Sequence, residues 1–121
     1  MKKKQWGKIV NFTSVTLKGI IEGYVLYVAS KRARLGLTNP LASELGPFGI
    51  CVNAIDPGAI ISEAEERVLG FKAEESSRWV FEQQRLKKRI LPECVAQLVY
   101  FRASHSFDMI ECQNFAIDGG W

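Results

Sequence analysis

The run Gly49-Ile50-Cys51-Val52-Asn53-Ala54-Ile55, closed by Pro57-Gly58, constrains the fold of this chain more than any other segment. It is short, almost continuously apolar and bounded by turn residues, the pattern of a strand buried on both faces. Such a strand belongs in a parallel sheet with helices packed above and below. Two further runs fit the same sheet. Lys8-Ile9-Val10-Asn11-Phe12-Thr13 follows Gly7, and Asn114-Phe115-Ala116-Ile117 is stopped by Asp118-Gly119-Gly120. Between the first two strands lies Tyr24 to Leu45, where Val25, Ala29, Ala33, Leu37, Leu41 and Leu45 recur at helical spacing and Gly46 supplies a stop. This is a βαβ unit.

Between the second and third strands the pattern predicts two helical stretches. The first opens at Ser62, whose capping box with Glu65 places Glu63, Glu65 and Glu66 at the positive helix end, and runs with interruptions to Lys88, broken at Gly70. The second starts at Pro92 and continues through Val95, Ala96, Leu98, Val99 and Phe101. The order β-α-β-α-α-β predicts an α/β fold, part of a doubly wound parallel sheet with three strands, as a single domain over residues 1–121.

Composition narrows the function classes. A hydrophobic fraction of 47% and a charged fraction of 24% suit a water-soluble globular chain, and no apolar stretch approaches the roughly 20 residues of a membrane span. Net charge is +3, with eight Lys/Arg against three Asp/Glu in residues 1–61 and eight against ten in 62–121. The Lys2 to Lys4 cluster, with Arg32 and Arg34, is therefore expected to be solvated surface, not a nucleic-acid or membrane contact. No apolar segment of signal-peptide type follows those lysines. Cys51, Cys94 and Cys112 are odd in number and widely spaced, with His105 as the chain's single histidine. That excludes a disulfide framework and a zinc site, and fits a reducing cytoplasm.

The chemistry is concentrated in Tyr27-Val28-Ala29-Ser30-Lys31. Residues four apart share a helical face, so the Lys31 ammonium stands near the Tyr27 phenol and favours its phenolate form. Tyr27 is then suited to general acid or base work near neutral pH. Ser14 lies just past the first strand, at the sheet end where open α/β folds place their binding crevice, and its hydroxyl can steady a substrate oxygen. Each residue alone also has a plain structural role, as helix packing, surface charge and turn.

The conjunction is what carries weight. Gly7 to Ser14, Tyr27-x-x-Ser30-Lys31, Leu41-Ala42-Ser43-Glu44-Leu45-Gly46, Val52-Asn53-Ala54-Ile55-Asp56-Pro57-Gly58 and Asp118-Gly119-Gly120 follow one another in order. Over essentially its whole length the chain resembles the C-terminal half of a classical short-chain dehydrogenase/reductase, which has a Rossmann-like fold. The resemblance implies hydride transfer between NAD or NADP and a small-molecule alcohol or carbonyl compound, with Tyr27 as proton donor or acceptor and Ser14 bonded to the substrate oxygen. It implies that Lys31 binds the nicotinamide ribose beside Tyr27, that Pro57, Gly58 and Ile60 border the nicotinamide, and that Ser62 takes the place of the family's usual carboxamide-binding threonine. Residues 60–90 then correspond to the substrate lid, and the intact family suggests a homo-oligomer.

Departures from the family pattern are equally specific. The glycine-rich pyrophosphate turn and the residue that selects NAD or NADP are not in this sequence, so the 121-residue chain alone is expected to be inactive. Pro40 lies inside the Tyr24 to Leu45 helix, where a kink is expected. Arg102 stands in place of a usual leucine, Glu111-Cys112 in place of Thr-Gly, and Asp56 in place of a small apolar residue. The competing reading is a non-catalytic assembly module that docks through an open sheet edge onto itself or onto an intact family member.

Overall fold

A computed structural model describes residues 1–19, 21–63, 65, 67, 73–105 and 108–121. Three parallel strands, β1 (Gly7–Phe12), β2 (Ile50–Pro57) and β3 (Asn114–Ile117), form one sheet in the order β1-β2-β3. Helix α1 (Val25–Leu45) joins β1 to β2, while α2 (Ala73–Gln83) and α3 (Pro92–Ala103) lie between β2 and β3. The α/β class, the three strands and their parallel sense are as expected. No described helix is long and apolar enough to cross a membrane.

β2 is the core. Every residue but Cys51 is buried, and Val52, Ala54 and Ile55 have no exposed surface. It hydrogen-bonds on both edges, with Gly7 to Phe12 in register with Ile50 to Ile55 and Ala54 to Pro57 with Asn114 to Ile117. Asn53 is tolerated there because both ends of its amide are used. Nδ2 donates to the Ile110 carbonyl at 2.9 Å, and Oδ1 accepts from the Gln113 N–H at 3.0 Å.

α1 corrects two expectations. Val25, Ala29, Ala33 and Leu37 face outward, with Val25 and Leu26 among the most exposed apolar side chains. The covered stripe is Val28, Lys31, Leu35, Thr38, Ala42 and Leu45. With 3.6 residues per turn, a strict four-residue step drifts about 40° each time, whereas steps of three and four together hold one face. The helix also runs unbroken through Pro40, where a kink was expected, to Leu45, with Gly46 as its C-cap as expected, and a separate 3-10 turn, Gly46–Phe48, follows. That 3-10 turn ends at Gly49, φ 65°, where a Cβ would lie 2.3 Å from the Gln5 carbonyl oxygen, so only glycine fits. Buried Thr38 and Ala42 hold the helix against the sheet on either side of Pro40, and Thr38 Oγ1 accepts from Asn11 Nδ2 of β1 at 3.2 Å. Tertiary packing outweighs the lost backbone bond.

The helical stretch expected from Ser62 to Lys88 ends earlier than expected. α2 ends at Gln83, five residues before Lys88, because Gln84 turns inward: its Nε2 donates to the Asp118 carbonyl at 2.8 Å, and the Leu86 N–H donates to the Gly119 carbonyl at 2.9 Å. Gly70 and Glu66 lie outside the described residues. α3 begins at Pro92 as expected.

Two of the departures noted above acquire a structural role. Buried Arg102 places its guanidinium 4.5 Å from the Phe115 ring centroid and donates to the Ile110 carbonyl at 3.2 Å. Glu111 accepts the Val52 N–H with both carboxylate oxygens, at 2.9 and 3.0 Å. Cys112 adopts φ 59°, a left-handed conformation that costs a non-glycine residue about 1 kcal/mol. Its side chain is exposed and free, so no packing offsets that strain. Cys112→Gly is expected to raise the thermal midpoint by about 4 °C, checked by calorimetry. An unchanged or lower midpoint means that the side chain compensates for its backbone.

Candidate active site

The parallel ladder brings the carboxyl ends of β1 and β2 side by side, and a cleft of about 610 Å³ opens there. Its walls include Ser14, Val15, Thr16 and Ile21 after β1, Tyr24 and Tyr27 at the start of α1, Gly58, Ala59 and Ile60 after β2, and Trp79, Val80 and Trp121.

Ser14 is buried and caps a 3-10 turn, Val15–Lys18. Its Oγ accepts from the Thr16 N–H at 3.3 Å and from Thr16 Oγ1 at 3.0 Å. Both partners donate, so the Ser14 hydroxyl keeps its own proton for a third group. Tyr27, one turn into α1, is 43% exposed and packs edge-on against Tyr24 with ring centroids 5.6 Å apart. Lys31 stands one turn further on. Its Nζ lies 5.3 Å from the Tyr27 ring centroid and donates to the Phe12 carbonyl at 3.3 Å, which ties the cation to the end of β1.

The remaining expected site residues divide. Gly58 and Ile60 line the cleft, whereas Lys31, Pro57 and Ser62 do not. Pro57 closes β2, and the Gly58 N–H continues the ladder to the Ile117 carbonyl at 3.1 Å. A Cβ on Gly58 would stand 2.9 Å from Asp118 Cα, so glycine permits the ends of β2 and β3 to close together. Ile60 bridges to Ile90. Ser62 Oγ accepts the Glu65 N–H at 3.3 Å, one half of the capping box. The other half is missing because the Glu65 carboxylate pairs with Arg89 instead, and Arg89 also donates to Ser77 Oγ at 2.7 Å. Part of the lid span, 64, 66 and 68–72, lies outside the described residues.

Sequence reasoning missed the wall opposite Tyr27. Trp79 of α2 and the terminal Trp121 meet edge to face, 5.2 Å between centroids, although 42 positions apart in a numbering that gives no hint of contact. Trp121 is held by Lys18, whose Nζ donates to the Trp121 carbonyl at 2.6 Å and pairs with Asp118 at 2.8 Å. Burial alone would push the Asp118 carboxyl up, but hydrogen bonds from Lys18 and the Gly120 N–H hold it below its ordinary value. Asp56, behind this pair, is pushed up by burial and by Asp118, against the pull of Lys18, Thr13 and Arg32. Its Oδ1 has no hydrogen-bond partner among the described residues.

The residues present fit one end of a nicotinamide cofactor. Tyr27, Gly58, Ala59 and Ile60 border a cleft with room for a ring and its ribose, and the Lys31 ammonium lies beside it. Among the described residues no group of His, Cys, Asp and Glu could hold a metal ion.

The chain matches known proteins over essentially its whole length. A family profile described as enoyl-(acyl carrier protein) reductase matches residues 1–121. D-xylose 1-dehydrogenase of Caulobacter vibrioides is 36% identical over 121 residues, covering 100% of this chain and 48% of that enzyme. A 3-oxoacyl-(acyl-carrier-protein) reductase of Aquifex aeolicus is 35% identical over 120 residues, covering 99% and 47%. Among solved structures, a short chain dehydrogenase/reductase family protein matches with TM-score 0.85 and 30% identity over 99% of this chain and 47% of its own. A 7α-hydroxysteroid dehydrogenase complexed with NADH and 7-oxo glycochenodeoxycholic acid matches with TM-score 0.90 and 27% identity over 99% and 46%. The chain spans about half the length of the relatives it matches.

Asp56 makes the stability of the site depend on pH. Its carboxyl is raised in the folded state, so folding favours the protonated form. The penalty is absent below the unfolded value of about 3.9, grows as pH rises through the folded value and is complete above it. Asp56→Asn is expected to raise the thermal midpoint at pH 7 by about 4 °C, with the gain shrinking as pH falls towards 4. Paired scans at the two pH values check this. A gain of equal size at both rules out ionisation as the cause.

Proposed function

Because the chain belongs to the short-chain dehydrogenase/reductase family, we propose that this site carries the acid–base half of an NAD- or NADP-dependent alcohol/carbonyl oxidoreduction, with Tyr27, Ser14 and Lys31 as its catalytic residues. The observation that carries the reading is the convergence of the spare Ser14 proton and the Tyr27 phenol on one cleft, with the Lys31 ammonium tethered behind the phenol.

In the reductive direction, the substrate oxygen accepts from Ser14 Oγ and from the Tyr27 hydroxyl. Charge builds on that oxygen as hydride reaches the carbon, and the two donors are already aimed at it. Tyr27 gives up its proton and becomes a phenolate, which the Lys31 charge one turn away stabilises. Oxidation of an alcohol runs the same proton backwards. When bound, the nicotinamide supplies or takes the hydride. Gly58 and Ile60 would border its ring, Tyr27 and Lys31 its ribose, and Pro57 sets where that border begins. Ser62, which accepts the Glu65 N–H as a cap, would contact its carboxamide.

The test joins this chain to the unmatched half of the Caulobacter enzyme and follows NADH or NADPH oxidation with carbonyl substrates. Tyr27→Phe is expected to lower turnover at least 100-fold, since it deletes the proton donor and keeps the ring, while Tyr24→Phe stays within about fivefold. Loss of turnover in Tyr24→Phe but not in Tyr27→Phe would falsify the assignment.

A second reading, an assembly module, is favoured by the outer edge of β1, which pairs with no strand among the described residues, and by the uncovered Val25, Leu26 and Leu37 of α1. The two readings are compatible. Sedimentation velocity of the 121-residue chain is expected to show self-association that weakens with Leu26→Glu. A monodisperse monomer at 50 μM, roughly 50,000-fold above a nanomolar dissociation constant, excludes it.

A further inference from the structure

We infer that the Trp79–Trp121 pair is the substrate-selecting wall of the cleft and that the site takes a secondary alcohol or ketone carried on a flat, largely apolar ring system, not a polyol. This rests on the proposed reading of Ser14 and Tyr27 as the oxygen-binding end.

The polar groups of the cleft are few and mostly engaged. Thr16 donates to Ser14 through both its N–H and its hydroxyl, and Glu65 is paired with Arg89. The Ser14 proton and the Tyr24 and Tyr27 hydroxyls remain. On the proposed reading Ser14 and Tyr27 are enough to fix a single oxygen. The rest of the lining is Val15, Ile21, Ile60 and Val80, the small Gly23, Gly58 and Ala59, and the two indoles, which add one N–H donor each. A sugar placed there would bury several hydroxyls against walls that, among the described residues, offer side-chain partners to few of them, at a cost its ring contacts do not repay. A hydrocarbon ring loses nothing on leaving water and gains dispersion against the indole faces.

The wall is also built to keep its shape. Trp79 is 38% exposed, so it still presents surface for contact, and its edge-to-face packing fixes the angle between the two rings. Trp121 cannot swing away freely, because Lys18 holds its carbonyl and Asp118 holds Lys18. Gly120 at φ 82° turns the chain so that the last residue folds back over the cleft. The lining volume of about 610 Å³ leaves space for a bicyclic ring beside the bordering loop after β2.

The test measures binding, not turnover, on the full 121-residue chain, with 2-tetralol as ring probe and D-xylose as polyol probe, by titration in solution NMR. The 2-tetralol titration is expected to saturate with a dissociation constant on the order of 1 mM, ordinary for a ligand of that size, and to shift the indole N–H signals of Trp79 and Trp121 but not of Trp6. Trp79→Leu and Trp121→Leu should each weaken it by about fivefold, and Trp79→Phe by no more than about twofold. Tighter binding of D-xylose overturns the inference, as does unchanged affinity in folded leucine variants. If a leucine variant does not fold, the wild-type shifts decide: movement of Trp6 alone refutes the wall. Since no step is catalytic, a failed Tyr27 assignment leaves this result readable, and the converse holds too.

Discussion

Everything in this structure hangs on the two-sided hydrogen bonding of β2. A strand paired in parallel on both edges must end level with its neighbours, so the turns after β1 and β2 emerge together at one end of the sheet. Ser14 and Gly58 follow those turns, and Tyr27 reaches them because α1 starts just behind. The site is thus a consequence of register. Asn53 shows how closely β2 is tied down, since its amide holds the loop at Ile110 and Gln113 that delivers β3.

That rigidity explains why unusual residues are accommodated at the margins. Pro40 is carried by a helix whose covered face is packed on either side of it. Arg102 is buried through its stack on Phe115 and a backbone carbonyl, so its charge is partly compensated, although burial still draws its guanidinium below its ordinary value. Asp56 has no such compensation at Oδ1 and sits beside the Lys18–Asp118 pair. Substitutions far from one another thus cost different amounts according to whether a neighbour can reach the new polar atoms.

The fold was legible because its signals are local. Apolar runs ended by turn residues gave three strands, and Pro92 marked the start of α3. Helical phase was misread where Val25 to Leu45 offered an apolar residue every fourth position, a spacing that drifts round the helix and is exposed for much of its length. The stop of α1 at Gly46 was legible, whereas the glycine that closes the next turn, Gly49, was not, because the need for it comes from the Gln5 carbonyl, a contact between distant segments. The end of α2 at Gln83 has the same origin, since Gln84 answers to Asp118.

The cleft divides along the same line. Its proposed oxygen-binding end is assembled from residues within 17 positions of one another, Ser14 to Lys31, so spacing alone brought them together on paper. Its far wall is assembled from Trp79 and Trp121, which meet through α2 and a tail anchored by Lys18, and no periodicity encodes such a meeting. A chain can therefore announce the chemistry it performs while concealing what it acts on. Proton transfer needs a few groups at fixed short separations, which a helix supplies by itself. Discrimination between substrates needs an enclosing surface, and enclosure is a property of the finished fold.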